Sequence, residues 1–210
     1  MLGRHTAAGL AVTVALSGAS VLHAQERLPA VPADRMTEAQ KKVAADFEKV
    51  RNTAPTGPFA VMLRVPELMD LSFKWRQHVQ ARSALSAKLN EFVILLTARE
   101  WTQQYEWNAH YPAAIQAGLP ADLVAAIAEG RRPERMDEEL TILYDLCTEL
   151  QHHRSVSDAT YARALAKFGE PGIVEATSMV GYYTMLAMVM NTARTPVPNG
   201  AKPPLAAFPR

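Results

Sequence analysis

The sequence predicts an all-α domain of about seven or eight helices. Apolar residues recur at helical spacing along most of the chain, and N-capping residues precede several of these stretches. Glycine and proline separate the stretches, and no alternating apolar–polar run of strand length occurs. We therefore expect helices packed on helices in one domain.

The first half of the chain predicts three helices and a short turn. Thr37 can cap the first helix, Pro66 can open the second, and Ser86 can cap the third. Two prolines and a glycine within 52–58 indicate a loop. The predicted order is a helix over 38–50, that loop, an apolar turn over 59–63, and helices over 66–82 and 87–101.

The second half predicts five helices. Thr102 and Gly118 can bound the first of them, Asp137 and Ser157 can cap two later ones, and Pro171 can open the last. The predicted helices cover 103–117, a short stretch within 119–130, a stretch that follows Asp137 and contains Leu140 to Leu150, a stretch from Ser157 to Gly169, and 173–193.

The last predicted helix is the most apolar part of the chain after residue 24. Its core, 179–190, is short for a membrane span and is interrupted by glycine, tyrosine and threonine. A helix that is apolar on nearly all sides must be buried on nearly all sides. We therefore expect either a central core helix or a subunit interface.

Composition excludes several classes of protein. Of 210 residues, 49% are apolar and 20% charged, which excludes wholesale disorder. Lys and Arg total 22 against 21 Asp and Glu, a formal net charge of +1 that predicts no binding to nucleic acid or to a membrane surface. The single cysteine, Cys147, excludes an internal disulfide, a Cys-x-x-Cys pair and a cysteine-based zinc site.

The segment 1–24 is typical of a cleaved signal peptide. Arg4 supplies the positive charge, a short apolar core follows, and Ala24 ends a tolerable cleavage site before Gln25. A membrane anchor is the alternative, but the apolar core is shorter than the roughly 20 residues that a span needs. We expect a periplasmic or secreted protein with an N-terminal helix and linker over 25–57, a helical domain over 58–194, and a proline-rich extended tail over 195–210 that could cross a neighbouring subunit.

Spacing alone picks out one group of polar side chains. Gln103, Glu106 and His110 fall on one face of a helix, with Trp107 beside them. A carboxylate one turn from an imidazole can hold one ring nitrogen protonated and orient the other. Glu91, on the preceding helix, could reach the same pocket. The alternative is an exposed surface pair, and the absence of a second histidine argues against a metal site.

The same region resembles a known enzyme family. The runs S-A-K-L-N-E-F-V-I-L-L-T-A-R-E-W at 86–101, Y-E-W-N-A-H at 105–110 and A-G-L-P at 117–120 resemble the carboxymuconolactone decarboxylase family, which is related to the AhpD-like alkylhydroperoxidases. The likeness continues more weakly through 168–175 and 181–191, so that it spans about 58–198. It implies an AhpD-like helical fold and a homotrimer or homohexamer.

The resemblance also implies roles for individual residues. Glu91 and His110 match the glutamate and histidine of the peroxidase branch, whereas Gln103 and Glu106 replace its two cysteines. Neither replacement can form a sulfenic acid or disulfide, so the peroxiredoxin activity attached to the family is not expected.

The decarboxylase branch implies general acid–base chemistry on a small carboxylated or lactone substrate. His110 would donate or shuttle the proton, Glu106 would orient it, and Glu91 would be a second acid. No cofactor or metal is expected, since the substrate itself can delocalise the charge. Lactone hydrolysis, isomerisation and non-catalytic binding by an oligomer are the alternatives. The expected substrate-binding residues are Gln103, Tyr105, Trp107 and Arg99, the last being either an anion anchor or a surface arginine.

Overall fold

The computed structural model describes residues 25–201 and 204–206, which are helical with no strand. The predicted signal peptide, 1–24, lies outside the described residues. One-turn 3₁₀ helices cover Ala33–Arg35 and Pro198–Gly200. The eight α-helices of the described chain are α1 (Glu38–Arg51), α2 (Pro58–Met62), α3 (Pro66–Arg82), α4 (Ala87–Glu100), α5 (Gln104–Gln116), α6 (Ala121–Ala128), α7 (Glu138–His153) and α8 (Asp158–Ala193).

Side-chain caps start most of the longer helices where the sequence predicts. Thr37 forms a reciprocal capping box with Gln40 at the start of α1. The side chains of Ser86, Asp137 and Ser157 each accept a hydrogen bond from the backbone N–H three residues later, at the starts of α4, α7 and α8. These caps are local interactions, which explains why the sequence alone located them.

The predicted cap of α5 is wrong by one residue. Gln103, not Thr102, is the N-cap, and its side-chain oxygen accepts hydrogen bonds from the N–H groups of Tyr105 and Glu106. Thr102 instead ends α4 with a positive φ of 46°. The N–H of Thr102 donates to the carbonyl of Arg99, and that of Gln103 donates to the carbonyl of Ala98. This is a Schellman motif with threonine where glycine is usual.

The break predicted at Gly169 occurs inside α8. Gly169 has φ 64° and ψ 177°, so that α8 consists of two helical segments, 158–168 and 170–193. The second segment begins earlier than the predicted 173, since Pro171 fits its first turn without losing a helical hydrogen bond. Gly172 is also required, because a Cβ there would lie 2.5 Å from the Cβ of Phe168.

The second segment of α8 is a central core helix. It carries fully buried Met179 and Met190, and α8 packs against α2, α4 and α7. In turn, α4 packs against α5, α6 and α7. Among the described residues α8 is the one helix long and apolar enough to cross a membrane, a test that core helices also pass. Part of its apolar surface is buried against other helices, whereas Val174 and Met188 stay exposed.

The C-terminal segment does not extend away from the domain in its described part. Leu205 is 4% exposed, and its backbone N–H and carbonyl pair with the side-chain amide of Gln104 at 2.8 Å each. Arg99 donates to the carbonyl oxygen of Ala206 at 2.7 Å. Residues 204–206 therefore lie against the α4–α5 corner (residues 99–104), where their backbone groups find polar partners.

The Thr102→Gly variant tests the strain at this corner. A side chain in the left-handed conformation costs about 1–2 kcal/mol, and the freer unfolded chain of glycine offsets about 0.4–1 kcal/mol. We expect the free energy of unfolding in urea to rise by about 0.5–1 kcal/mol. Thr102→Ala, which keeps a Cβ, is the control. A destabilised glycine variant would show that Thr102 stabilises the turn by other contacts.

Candidate functional site

The site begins with a hydrogen bond between α4 and α5. The three-residue turn 101–103 lets the two helices pack side by side, which brings Glu91 to His110. His110 Nδ1 lies 2.8 Å from Glu91 Oε2, and the two side chains are 15% and 18% exposed. An ionised carboxylate can only accept, so Nδ1 carries the shared hydrogen and Nε2 is the nitrogen that a ligand would meet.

Two cavities meet at this histidine. The larger, here called the outer cleft, has a volume of about 310 Å³ and is lined by Glu91, Asn90 and Ser83 among others. The smaller, here called the inner cavity, has a volume of about 110 Å³ and contains Glu106 in its wall. His110, Arg76 and Tyr183 line both.

Glu106 is buried without a polar partner. Its side chain is 3% exposed, and among the described residues neither carboxyl oxygen has a hydrogen-bond partner. Burial raises the pKa of this carboxyl group well above its usual range, which favours the neutral acid. Glu106 shares the inner cavity with His110, as their spacing predicts. It does not orient the imidazole, because Glu91 occupies Nδ1.

Gln103 is a structural residue rather than a ligand-binding one. Its oxygen caps α5, and its Nε2 donates to Asn191 Oδ1 at 2.9 Å. Asn191 in turn donates to the carbonyl of Trp101 at 3.1 Å. Both polar ends of the Gln103 side chain are thus used, and it lines neither cavity. The expectation that Gln103 binds substrate is therefore not supported by this geometry.

Of the other three predicted substrate-binding residues, one lines a cavity of the site and two do not. Tyr105 lines the inner cavity. Trp107, only 4% exposed, belongs to the hydrophobic core and lines neither cavity. Arg99 is also 4% exposed and lies away from both cavities, holding the C-terminal segment through Ala206. Arg99 is thus neither a surface arginine nor an anchor at this site.

Sequence reasoning missed two residues that lie at the junction. Arg76, on α3, lines both cavities, and its Nη1 donates to Gln80 Oε1 at 2.5 Å. Tyr183, on α8, places its ring edge-to-face with the His110 ring at 5.2 Å. Burial lowers the pKa of Arg76 and raises that of Tyr183 well above its usual range. No sequence signal pointed to Arg76, and the only one for Tyr183 was a polar hydroxyl in a largely apolar helix.

A glycine in the loop between α1 and α2 lies against Tyr105, which lines the inner cavity. Gly57 has a positive φ of 56°, and a Cβ there would clash with Cε1 of Tyr105. No side chain fits at this position, since it would be strained and would displace the tyrosine ring. Gly57 therefore lets the loop before α2 approach the cavity wall.

Other reactive groups of the described chain lie elsewhere. Cys147 is fully buried, and burial raises its pKa to about 12, which keeps the thiol protonated and unreactive. His152 pairs with Glu100 at 3.0 Å, in a more exposed setting than His110. The described residues contain no group of three or more His, Cys, Asp or Glu side chains arranged to hold a metal ion.

Comparison with known proteins adds no family assignment. The chain matches no family model and no curated protein sequence. The resemblance carried by 86–120 therefore stays a prediction.

The pH dependence of stability tests the burial of Glu106. Above the ordinary pKa of a carboxyl group the unfolded chain releases this proton while the folded chain keeps it. The free energy of unfolding therefore falls as pH rises, by up to about 1.4 kcal/mol per pH unit, until the raised pKa is reached. Glu106→Gln lacks this proton, so its stability relative to the parent should rise with pH between 5 and 8.

Urea unfolding at several pH values measures the difference. Glu134→Gln, at an exposed position, is the matched control and should follow the parent. A constant difference between Glu106→Gln and the parent would contradict a raised pKa.

Proposed function

We propose that this chain is an acid–base enzyme of the carboxymuconolactone decarboxylase type, acting by decarboxylation on a small carboxylated or lactone substrate. The observation that carries the proposal is the 2.8 Å hydrogen bond between His110 Nδ1 and Glu91 at the meeting point of two cavities. A histidine held by a carboxylate, with its second nitrogen directed to a ligand, is the arrangement that general acid–base catalysis needs.

The proposed step uses His110 as the proton donor. The bond between the leaving carboxylate and its carbon breaks, carbon dioxide departs, and the electron pair delocalises into an adjacent unsaturated carbonyl of the substrate. The protonated imidazole then gives its Nε2 hydrogen to the carbon. Glu91 stabilises the imidazolium before this transfer and fixes the ring orientation. The neutral histidine is finally reprotonated from solvent.

Arg76 is the proposed anchor for an acidic substrate. It lines both cavities beside His110, whereas Arg99 lies elsewhere. A guanidinium stays charged even where burial lowers its pKa, and it binds a carboxylate through paired hydrogen bonds. Its position lets one cation act on a ligand in either cavity.

Thiol-based peroxide reduction is not proposed. Gln103 and Glu106 occupy the positions where the resemblance places the peroxidase cysteines, and Cys147 is a buried thiol with a pKa of about 12. Lactone hydrolysis and isomerisation could use the same histidine and carboxylate. A non-catalytic binding protein is the competing proposal, and the partnerless Glu106 in the inner cavity is the observation that favours it.

Export and self-association belong to the same proposal. The residues before Gln25 support cleavage and a periplasmic or secreted location. Exposed apolar side chains such as Leu71 and Val174 support self-association, and the family resemblance implies a trimer or hexamer. We expect light scattering to give the mass of three or six chains and N-terminal sequencing of exported protein to start near Gln25. A monomer retaining Met1 would contradict both.

Activity measurements on His110 and Glu91 variants test the catalytic proposal. Purified protein is first screened against a metabolite mixture to find a substrate. We then expect His110→Ala and Glu91→Gln each to lower kcat by roughly 10²–10⁴-fold, the range for a positioned acid or base. Their double variant should be little worse than the weaker single variant, because the two residues act as a unit.

The matched control is His152→Ala, which breaks another histidine–glutamate pair. It should leave kcat within about twofold, as should Cys147→Ser if the packing is kept. Additive losses at His110 and Glu91, or full activity in His110→Ala, would contradict the proposed mechanism. Ligand binding without any turnover would favour the binding protein.

A further inference from the structure

We propose that the inner cavity is a binding subsite for the carboxylate of a small organic acid, with the Glu106 carboxyl group donating a hydrogen bond to it. The inference rests on the proposed function in one respect only, namely that a longer substrate would extend from the inner cavity past His110 into the outer cleft. Binding itself requires no turnover.

Glu106 is the observation that points to a ligand. Glu106 lines the inner cavity, both of its carboxyl oxygens are buried, and neither has a hydrogen-bond partner among the described residues. A buried polar group left unpaired costs about 1–3 kcal/mol, so a ligand that pairs with it recovers that free energy. A protonated carboxyl group offers one O–H donor and also an acceptor oxygen.

The charge around the cavity favours an anion. Arg51 of α1 and Arg76 of α3 both line it, and no other acidic side chain of the described chain does so. A carboxylate would accept the Glu106 O–H in a short, charge-assisted hydrogen bond and would meet guanidinium groups on the same side of the domain. A neutral amide gains the first of these interactions but not the second.

The size and walls of the cavity limit the ligand. Its volume of about 110 Å³ is smaller than the roughly 150 Å³ that holds a benzene molecule. Phe47, Phe59 and Leu186 form apolar wall. The space therefore suits a carboxylate with one or two carbons attached, such as propionate or the acid end of a longer molecule. A longer ligand would pass His110 into the outer cleft.

Titration of Glu106 should control this binding. Once Glu106 loses its proton, it repels a carboxylate, so affinity falls as pH rises. The other titratable groups around it come from α1, α3, α4, α5 and α8. They are Arg51, Arg76, Glu91, Tyr105, His110, Tyr182 and Tyr183.

The experiment is calorimetric titration of the full-length protein with propionate and with propionamide. We expect propionate to bind with a Kd of about 1–10 mM, in keeping with so few atoms. Propionamide should bind at least about tenfold more weakly, since it lacks the charge. The affinity for propionate, counted as the carboxylate, should fall as pH rises through the raised pKa of Glu106.

Variants assign the binding to Glu106. Glu106→Ala should weaken propionate binding by at least about tenfold, the loss of one charge-assisted hydrogen bond. Glu106→Gln keeps a donor, so it should bind within a few fold of the parent and lose the pH dependence; it also serves if the alanine variant fails to fold. Glu91→Gln, which alters the catalytic pair, should keep propionate binding.

The outcomes separate this inference from the proposed function. Absence of propionate binding by the parent, equal binding of propionamide, or unchanged affinity in Glu106→Ala would overturn the subsite. Propionate binding that depends on Glu106 in a protein without turnover would support the subsite and count against the enzyme. Turnover that depends on His110, together with propionate binding that does not change in the Glu106 variants, would support the enzyme and count against the subsite.

Discussion

The α4–α5 corner is the constraint on which the site depends. Thr102 reverses the chain with a positive φ, and the backbone N–H of Gln103 closes the end of α4 on the carbonyl of Ala98 at 2.7 Å. The Gln103 side chain then caps α5 and reaches Asn191 of α8. One corner thereby sets the relative positions of three helices, and through them the contact between Glu91 and His110.

The position of Glu106 just after this corner places two opposing effects on the pKa of its carboxyl group. This residue lies in the first turn of α5, where the helix dipole favours a negative charge by about 0.3–1 kcal/mol. Removing a carboxylate from water costs several kcal/mol, which is the larger effect. Burial therefore prevails and raises the pKa of Glu106, in a cavity that Arg51 and Arg76 also line. Its chemistry differs from that of Glu91, which is partly exposed and paired with His110.

Local patterns in the sequence predicted some residues of the site but not all of their contacts. Helical spacing placed Glu106 and His110 on one face, and both line the inner cavity. Glu91 does reach His110 through a hydrogen bond, but it lines the outer cleft, whereas Glu106 lines the inner cavity. Spacing could not decide which carboxylate holds the imidazole, because two candidates lay within reach. That choice depends on how far α5 is rotated against α4.

The sequence by itself determined most of the helices, the side-chain caps of α1, α4, α7 and α8, and the break at Gly169, because these depend on interactions within a few residues. Only the tertiary structure brought Arg76 and Tyr183 to His110, since they arrive from α3 and α8, far apart along the chain. It also showed that Arg99 hydrogen-bonds to the C-terminal segment and does not line either cavity. Such assignments follow from packing between distant elements, which no local pattern encodes.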